Sequence, residues 1–139
     1  MATSDQLDCK IFVQADATIG ELAQIVTNHI GGSLSGPEFG LTITTPDCDI
    51  ELHKNPDQQE ITPSGEDGFL FFQYILEFYP DTDCQRKDMI DVVGKILTMI
   101  WSRGWPGVAA CDYESDLPHR GGYGSTPWFS TPVAATAKG

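Results

Sequence analysis

Residues 67–80 read DGFLFFQYILEFYP, and this stretch decides the fold. Leu70, Phe72, Tyr74, Leu76 and Phe78 place a large apolar side chain at every second position. The intervening row of Phe71, Gln73, Ile75, Glu77 and Tyr79 is mixed. Aromatic and β-branched residues at period two describe a central strand with one face buried and the other half covered. Pro80 stops the strand. A helix is expected next, with Asp81-Thr82-Asp83 as its N-cap and negative charge at the positive end of its dipole. Met89, Ile90, Val93, Ile96, Leu97 and Ile100 form its apolar stripe, flanked by Val92 and Trp101, and Gly104 closes it after Arg103.

Working outward toward the N-terminus, residues 8–15 alternate as a first strand, with Cys9, Ile11 and Val13 on one face and Lys10, Phe12 and Gln14 on the other. Thr18 and Glu21 then have the spacing of a capping box. Ile19, Leu22, Ile25, Val26 and Ile30 recur at helical period, and Gly31-Gly32 supplies the left-handed stop. Residues 33–62 are ambiguous. Phe39, Leu41 and Ile43, then Ile50 and Leu52, alternate on either side of Thr45-Pro46-Asp47-Cys48. A long edge strand, bent or broken by a bulge at Pro46, is the preferred reading, and a small hairpin is the other. Residues 55–67 read as a surface loop. Residues 107–113 read as a short last strand.

The order is strand, helix, split strand, strand, helix, strand. It implies an α+β fold of the ferredoxin-like (split βαβ) type, an antiparallel sheet with both helices on one face. The first and third strands are expected side by side and parallel. Residues 1–7 are expected to be a flexible start, 8–118 one domain, and 119–139 a partly disordered C-terminal extension.

The chain has 139 residues, of which 40% are hydrophobic, enough for a real core. Its formal charge is −12, from 20 acidic and 8 basic residues. Such a field repels phosphate, so nucleic acid and anionic membranes are not expected partners; a basic protein is. The opening residues lack the apolar core of a signal peptide, and no apolar run approaches a membrane span. Cys9, Cys48, Cys84 and Cys111 are far apart without zinc-ligand spacing, so a cytoplasmic protein with reduced thiols and no metal or other cofactor is expected.

No nucleophile elbow, phosphate-binding glycine loop or paired-acid motif points to an enzyme, and no catalytic residue is assigned. Partner-binding candidates are instead the acids of two regions. Asp47, Asp49 and Glu51 alternate with His53 on the expected edge strand, where charge also blocks unwanted strand pairing. Asp112, Glu114 and Asp116 sit in a loop suited to docking Lys and Arg. Phe71 and Tyr79 are expected as apolar anchors on a sheet face shared with Phe12 and Ile75, a patch that implies a partner, a dimer or a covering tail.

The segments DGFLFFQYILEFYP (residues 67–80) and GVAACDYESDLP (residues 107–118) resemble a group of small bacterial cytoplasmic proteins. Those proteins share a D-G-F-L-x-[FW] strand start and a V-A-A-C-D-[FY]-E-x-x-L-P ending. In size, acidity and layout the chain is also similar to immunity proteins of bacterial toxin systems. That resemblance implies an inhibitor that binds and blocks a basic toxin, and it assigns no residue roles. Two other classes stay open: a nucleic-acid mimic that occupies a DNA-binding or defence protein, and a small enzyme or ligand-binding domain using Cys111 and His119.

Overall fold

The computed structural model describes residues 7–37, 40–57 and 72–122. Strand β1 (Cys9–Val13) leads through a short turn into α1 (Ile19–Ile30). The expected capping box forms: the Thr18 amide donates to Glu21 Oε1 at 2.8 Å, and the Glu21 amide donates to Thr18 Oγ1 at 3.1 Å. Two backbone donors at the helix start are thereby satisfied within four residues of sequence. Gly31 ends the helix at φ 79°, a conformation that costs glycine nothing.

The ambiguous region resolves into three strands: β2 (Ser33–Ser35), β3 (Leu41–Thr44) and β4 (Cys48–Lys54). The preferred bent edge strand is therefore wrong and the hairpin is right. Thr45 drives the reversal, because its hydroxyl accepts from the amides of Asp47 and Cys48 at 3.2 and 3.0 Å while its own amide donates to the Cys48 carbonyl. A threonine that satisfies three backbone groups of the turn favours reversal over a bulge.

Strand β5 (Tyr74–Pro80) and helix α2 (Arg86–Ser102) follow, and β6 (Gly107–Ala110) completes the sheet. The helix starts later than expected. Asp81 closes a turn with Cys84 at 3.0 Å, and Gln85 is the N-cap, its amide donating to Asp88 Oδ2 at 3.1 Å. That turn carries the chain off the sheet end and onto the helix layer.

The strand order is β2-β3-β4-β5-β1-β6, and every neighbouring pair is antiparallel. The expected parallel pairing of the first and third long strands is corrected, since Cys9 faces Phe78 and Val13 faces Tyr74 in an antiparallel ladder. The physical reason is the β4–β5 reversal. The crossover through α1 returns β2 parallel to β1, the reversals into β3 and then β4 leave β4 parallel to β1 as well, and the strand that reverses from β4 must run against both. The β4 strand is also not an edge, because β3 pairs with it on one side and β5 on the other.

One core holds the layers together. Ile11, Val13, Ile50, Leu52, Leu76 and Phe78 from the sheet pack with Leu22, Val26, Val93, Ile96, Leu97 and Ile100 from the helices. All except Phe78, at 1%, are 0% exposed, so each contributes on the order of 1.5–3 kcal/mol of burial. Beyond β6 the chain stays packed. The Tyr113 hydroxyl donates to the Leu7 carbonyl at 2.9 Å, Pro118 rests near Gly94 of α2, and the His119 ring meets Trp101 edge-on at 5.5 Å. Residues 118–122 thus belong with the packed structure, although the sequence suggested that the domain ends at 118.

Candidate functional site

The sheet face turned away from the helices is built by alternation. Because Cys9, Ile11 and Val13 of β1 point into the core, Lys10 and Phe12 point outward. The same rule turns Ile75, Glu77 and Tyr79 of β5, and Asp49, Glu51 and His53 of β4, to this side. Register then aligns them in rows. Glu51 stands opposite Glu77, which stands opposite Lys10; Asp49 stands opposite Tyr79; His53 stands opposite Ile75 and Ile75 opposite Phe12.

The face is therefore divided. At one end Phe12, Phe72, Ile75 and Val108 form a second buried cluster. The apolar surface expected around Phe12 and Ile75 is covered, these side chains being only 8% and 6% exposed. Phe72 was expected on the helix side; it lies on this side instead, because β5 begins at Tyr74 and strand alternation does not extend back through the bend at Gln73. Phe71, the other expected anchor, lies outside the described residues. At the other end Tyr79 is 45% exposed.

Between the ends lies a charged centre with Glu77 as its hub. His53 Nε2 is 2.7 Å from Glu77 Oε1, Lys10 Nζ is 3.9 Å from Oε2, and the Tyr79 hydroxyl donates to Oε2 at 3.4 Å. His53 Nδ1 also lies 3.1 Å from the Lys54 carbonyl oxygen, so both ring nitrogens face acceptors. Partial burial, followed by the charges of Glu77 and Glu51, raises the Tyr79 hydroxyl above its ordinary value. Like charges directly opposite on neighbouring strands are unfavourable, and Lys10 beside Glu77 counters the Glu51–Glu77 pair.

The second group of acids sits at one end of the same sheet. Strands β1 and β4 begin there and β5 and β6 finish there, which brings Asp8, Asp47, Asp81 and Asp112 to one rim. Asp47 and Asp81 are tied directly, the Asp81 amide donating to the Asp47 carbonyl at 3.0 Å. Of the loop acids, only Asp112 is free of an internal bond given by the structure. Glu114 Oε2 accepts from the Cys111 amide at 3.0 Å, which shapes the turn, and Asp116 pairs with Arg86 at 3.3 Å. Arg86 also lies over the Tyr113 ring, 5.9 Å from its centroid.

Cys111 and His119 engage different neighbours. The Cys111 thiol interacts with Cys9, and the His119 ring lies against Trp101. Among the described residues no three His, Cys, Asp or Glu side chains converge as a metal-binding group, and no helix is long and apolar enough to cross a membrane. Lys10 and Glu77 were missed as site residues. Their only sequence signal is that they are charged at outward positions of otherwise apolar strands. Compared with known proteins, the chain matches no family model, no curated protein and no solved structure.

Proposed function

We propose that the protein is a binding module that docks a basic protein on the acidic side and rim of its sheet, as an immunity-type inhibitor docks a toxin. On this reading β6-β1-β5-β4 with the two helices is a ferredoxin-like, split βαβ core, and the β2–β3 hairpin is an added edge. The observation that carries the reading is Glu51 facing Glu77 beside the exposed Tyr79. A fold that opposes two carboxylates across a ladder forgoes stability there, and such departures are expected where a surface serves binding. A Lys or Arg arriving from a partner would complete the charge set, with Tyr79 supplying an amphipathic contact area and Asp49 and Asp47 extending the field. The net charge of −12 would speed the encounter.

The test is capture from lysate of the source cells, using the parent and the D49K/E51K variant, at low and at moderate salt. The expected result is a basic protein retained by the parent, shed as salt rises, and lost by at least tenfold in the variant. An identical set of captured proteins for parent and variant would overturn the reading. A captured DNA-binding protein would instead favour the nucleic-acid-mimic alternative.

A further inference from the structure

Cys9 and Cys111 are 102 positions apart in sequence, yet the β1–β6 ladder brings them together. Its last pair at that end is Lys10 with Ala110, and Cys111, the first residue past the ladder, leaves β6 beside Cys9, whose thiol it meets. Opposed residues of an antiparallel pair have Cα atoms about 4.5–5.5 Å apart, so two residues just past the last rung are placed near the roughly 4.4–6.8 Å that a disulfide spans. Both side chains lie on the helix side of the sheet, where Cys9 belongs to the core and Cys111 packs against it. Both also line a recess of about 300 Å³ at the sheet end, together with Asp8, Lys10, Ala110 and Asp112.

We propose that Cys9 and Cys111 are a dithiol site that a small hydroperoxide oxidises to a disulfide, covalently joining the start of β1 to the chain leaving β6. The two sulfurs differ in the way such a step requires. Cys111 is half-buried and reachable from the recess, while Cys9 is 4% exposed and waits behind it. The interaction between the two thiols is the leading influence on both. It lowers Cys111 against the opposing effect of burial, with help from the Tyr113 backbone, and raises Cys9, with burial adding to the rise. Cys111 is thus the thiol that ionises first, and the thiolate is the reactive form.

The chemistry balances with hydrogen peroxide as oxidant. The Cys111 thiolate attacks one peroxide oxygen; an S–O bond forms, the O–O bond breaks, and the departing hydroxide takes up the proton that Cys111 released. The Cys9 sulfur then attacks the sulfenic sulfur of Cys111. The S–S bond forms, the S–O bond breaks, and the hydroxyl leaves as water with the Cys9 proton. Two electrons pass from the thiols to the peroxide, and two waters are produced. Asp8 and Asp112 at the recess favour a small neutral peroxide over an anionic one.

The full chain, reduced and then treated with equimolar hydrogen peroxide, should lose two of its four thiols under denaturing titration. Peptide mapping should recover Cys9 linked to Cys111. In C111S the rate of thiol loss should fall at least tenfold. In C9S, oxidation should stop at a Cys111 sulfenic acid that dimedone traps, and in C48S and C84S the parent behaviour should persist. Because the parent mapping requires no variant to fold, it decides the matter alone. Recovery of all four thiols, a bond between Cys48 and Cys84, or only intermolecular dimers would overturn the proposal.

Discussion

Replacing Tyr113 by Phe should reverse the stability order of parent and variant between neutral and alkaline pH. Tyr113 is the largest wholly buried side chain described, at 0% exposure, and its hydroxyl donates to the Leu7 carbonyl at 2.9 Å. Removing the hydroxyl leaves that carbonyl without its donor. Leu7 is half-buried, so water can reach the oxygen, and the cost at pH 7 falls near the low end, about 1 kcal/mol. Burial first, and then the neighbouring Cys9 and Cys111 thiols, hold the Tyr113 hydroxyl far above the ordinary phenol range.

The linkage follows from that direction. In the unfolded chain Tyr113 loses its proton near pH 10, whereas the folded chain keeps it. The unfolded state then binds fewer protons, so the contribution of Tyr113 is complete below about pH 10 and falls by about 1.4 kcal/mol per pH unit above it. A deficit of about 1 kcal/mol in the Phe variant is therefore cancelled near pH 10.6, and by pH 11 the variant is the more stable by about 0.4 kcal/mol. Urea denaturation of both proteins under reductant, at intervals from pH 7 to 11, measures the difference directly. Other groups with raised values, Tyr74 and Cys48 among them, are common to both chains and drop out of it. A midpoint difference that stays constant through pH 11, with unchanged m-values, would refute the assigned burial and proton state of Tyr113.

Two further substitutions test the backbone logic. Thr18→Ala should remove the capping bond to Glu21 and cost about 1 kcal/mol, a fall of roughly 3 °C in thermal midpoint for a chain of this length; an unchanged midpoint would mean that the helix start is held by packing alone. Gly104 and Gly122 both have positive φ, at 78° and 86°, but an added Cβ meets nothing within 4 Å at Gly104, while at Gly122 it comes 2.7 Å from the Gly107 carbonyl oxygen. Gly104→Ala should therefore cost about 1 kcal/mol and Gly122→Ala about 2 kcal/mol or more, and equal losses in urea titrations would show that the close approach at Gly122 is absent.

What the sequence determined by itself was carried by neighbours three or four residues apart, or by strict alternation within an unbroken strand. The Thr18–Glu21 box, the Gly31 stop, the stripe of α2 and the inward row of β5 from Tyr74 to Phe78 each stabilise one local conformation with their own side chains, so their pattern is visible without the rest of the chain. The tertiary structure decided the pairings. A three-residue strand such as β2 carries no period that could be read, and the Thr45 turn, although its bonds to Asp47 and Cys48 are local, has a sequence that fits a bulge as well as a hairpin until β3 and β4 pair. The same holds for the candidate sites. The acids at 47, 49, 51 and 112 were legible as charge, but the hub at Glu77, the partners already engaging Glu114 and Asp116, and the meeting of Cys9 with Cys111 all depend on strand register. Register is settled by burying one face of every strand at once, and no local segment contains that information.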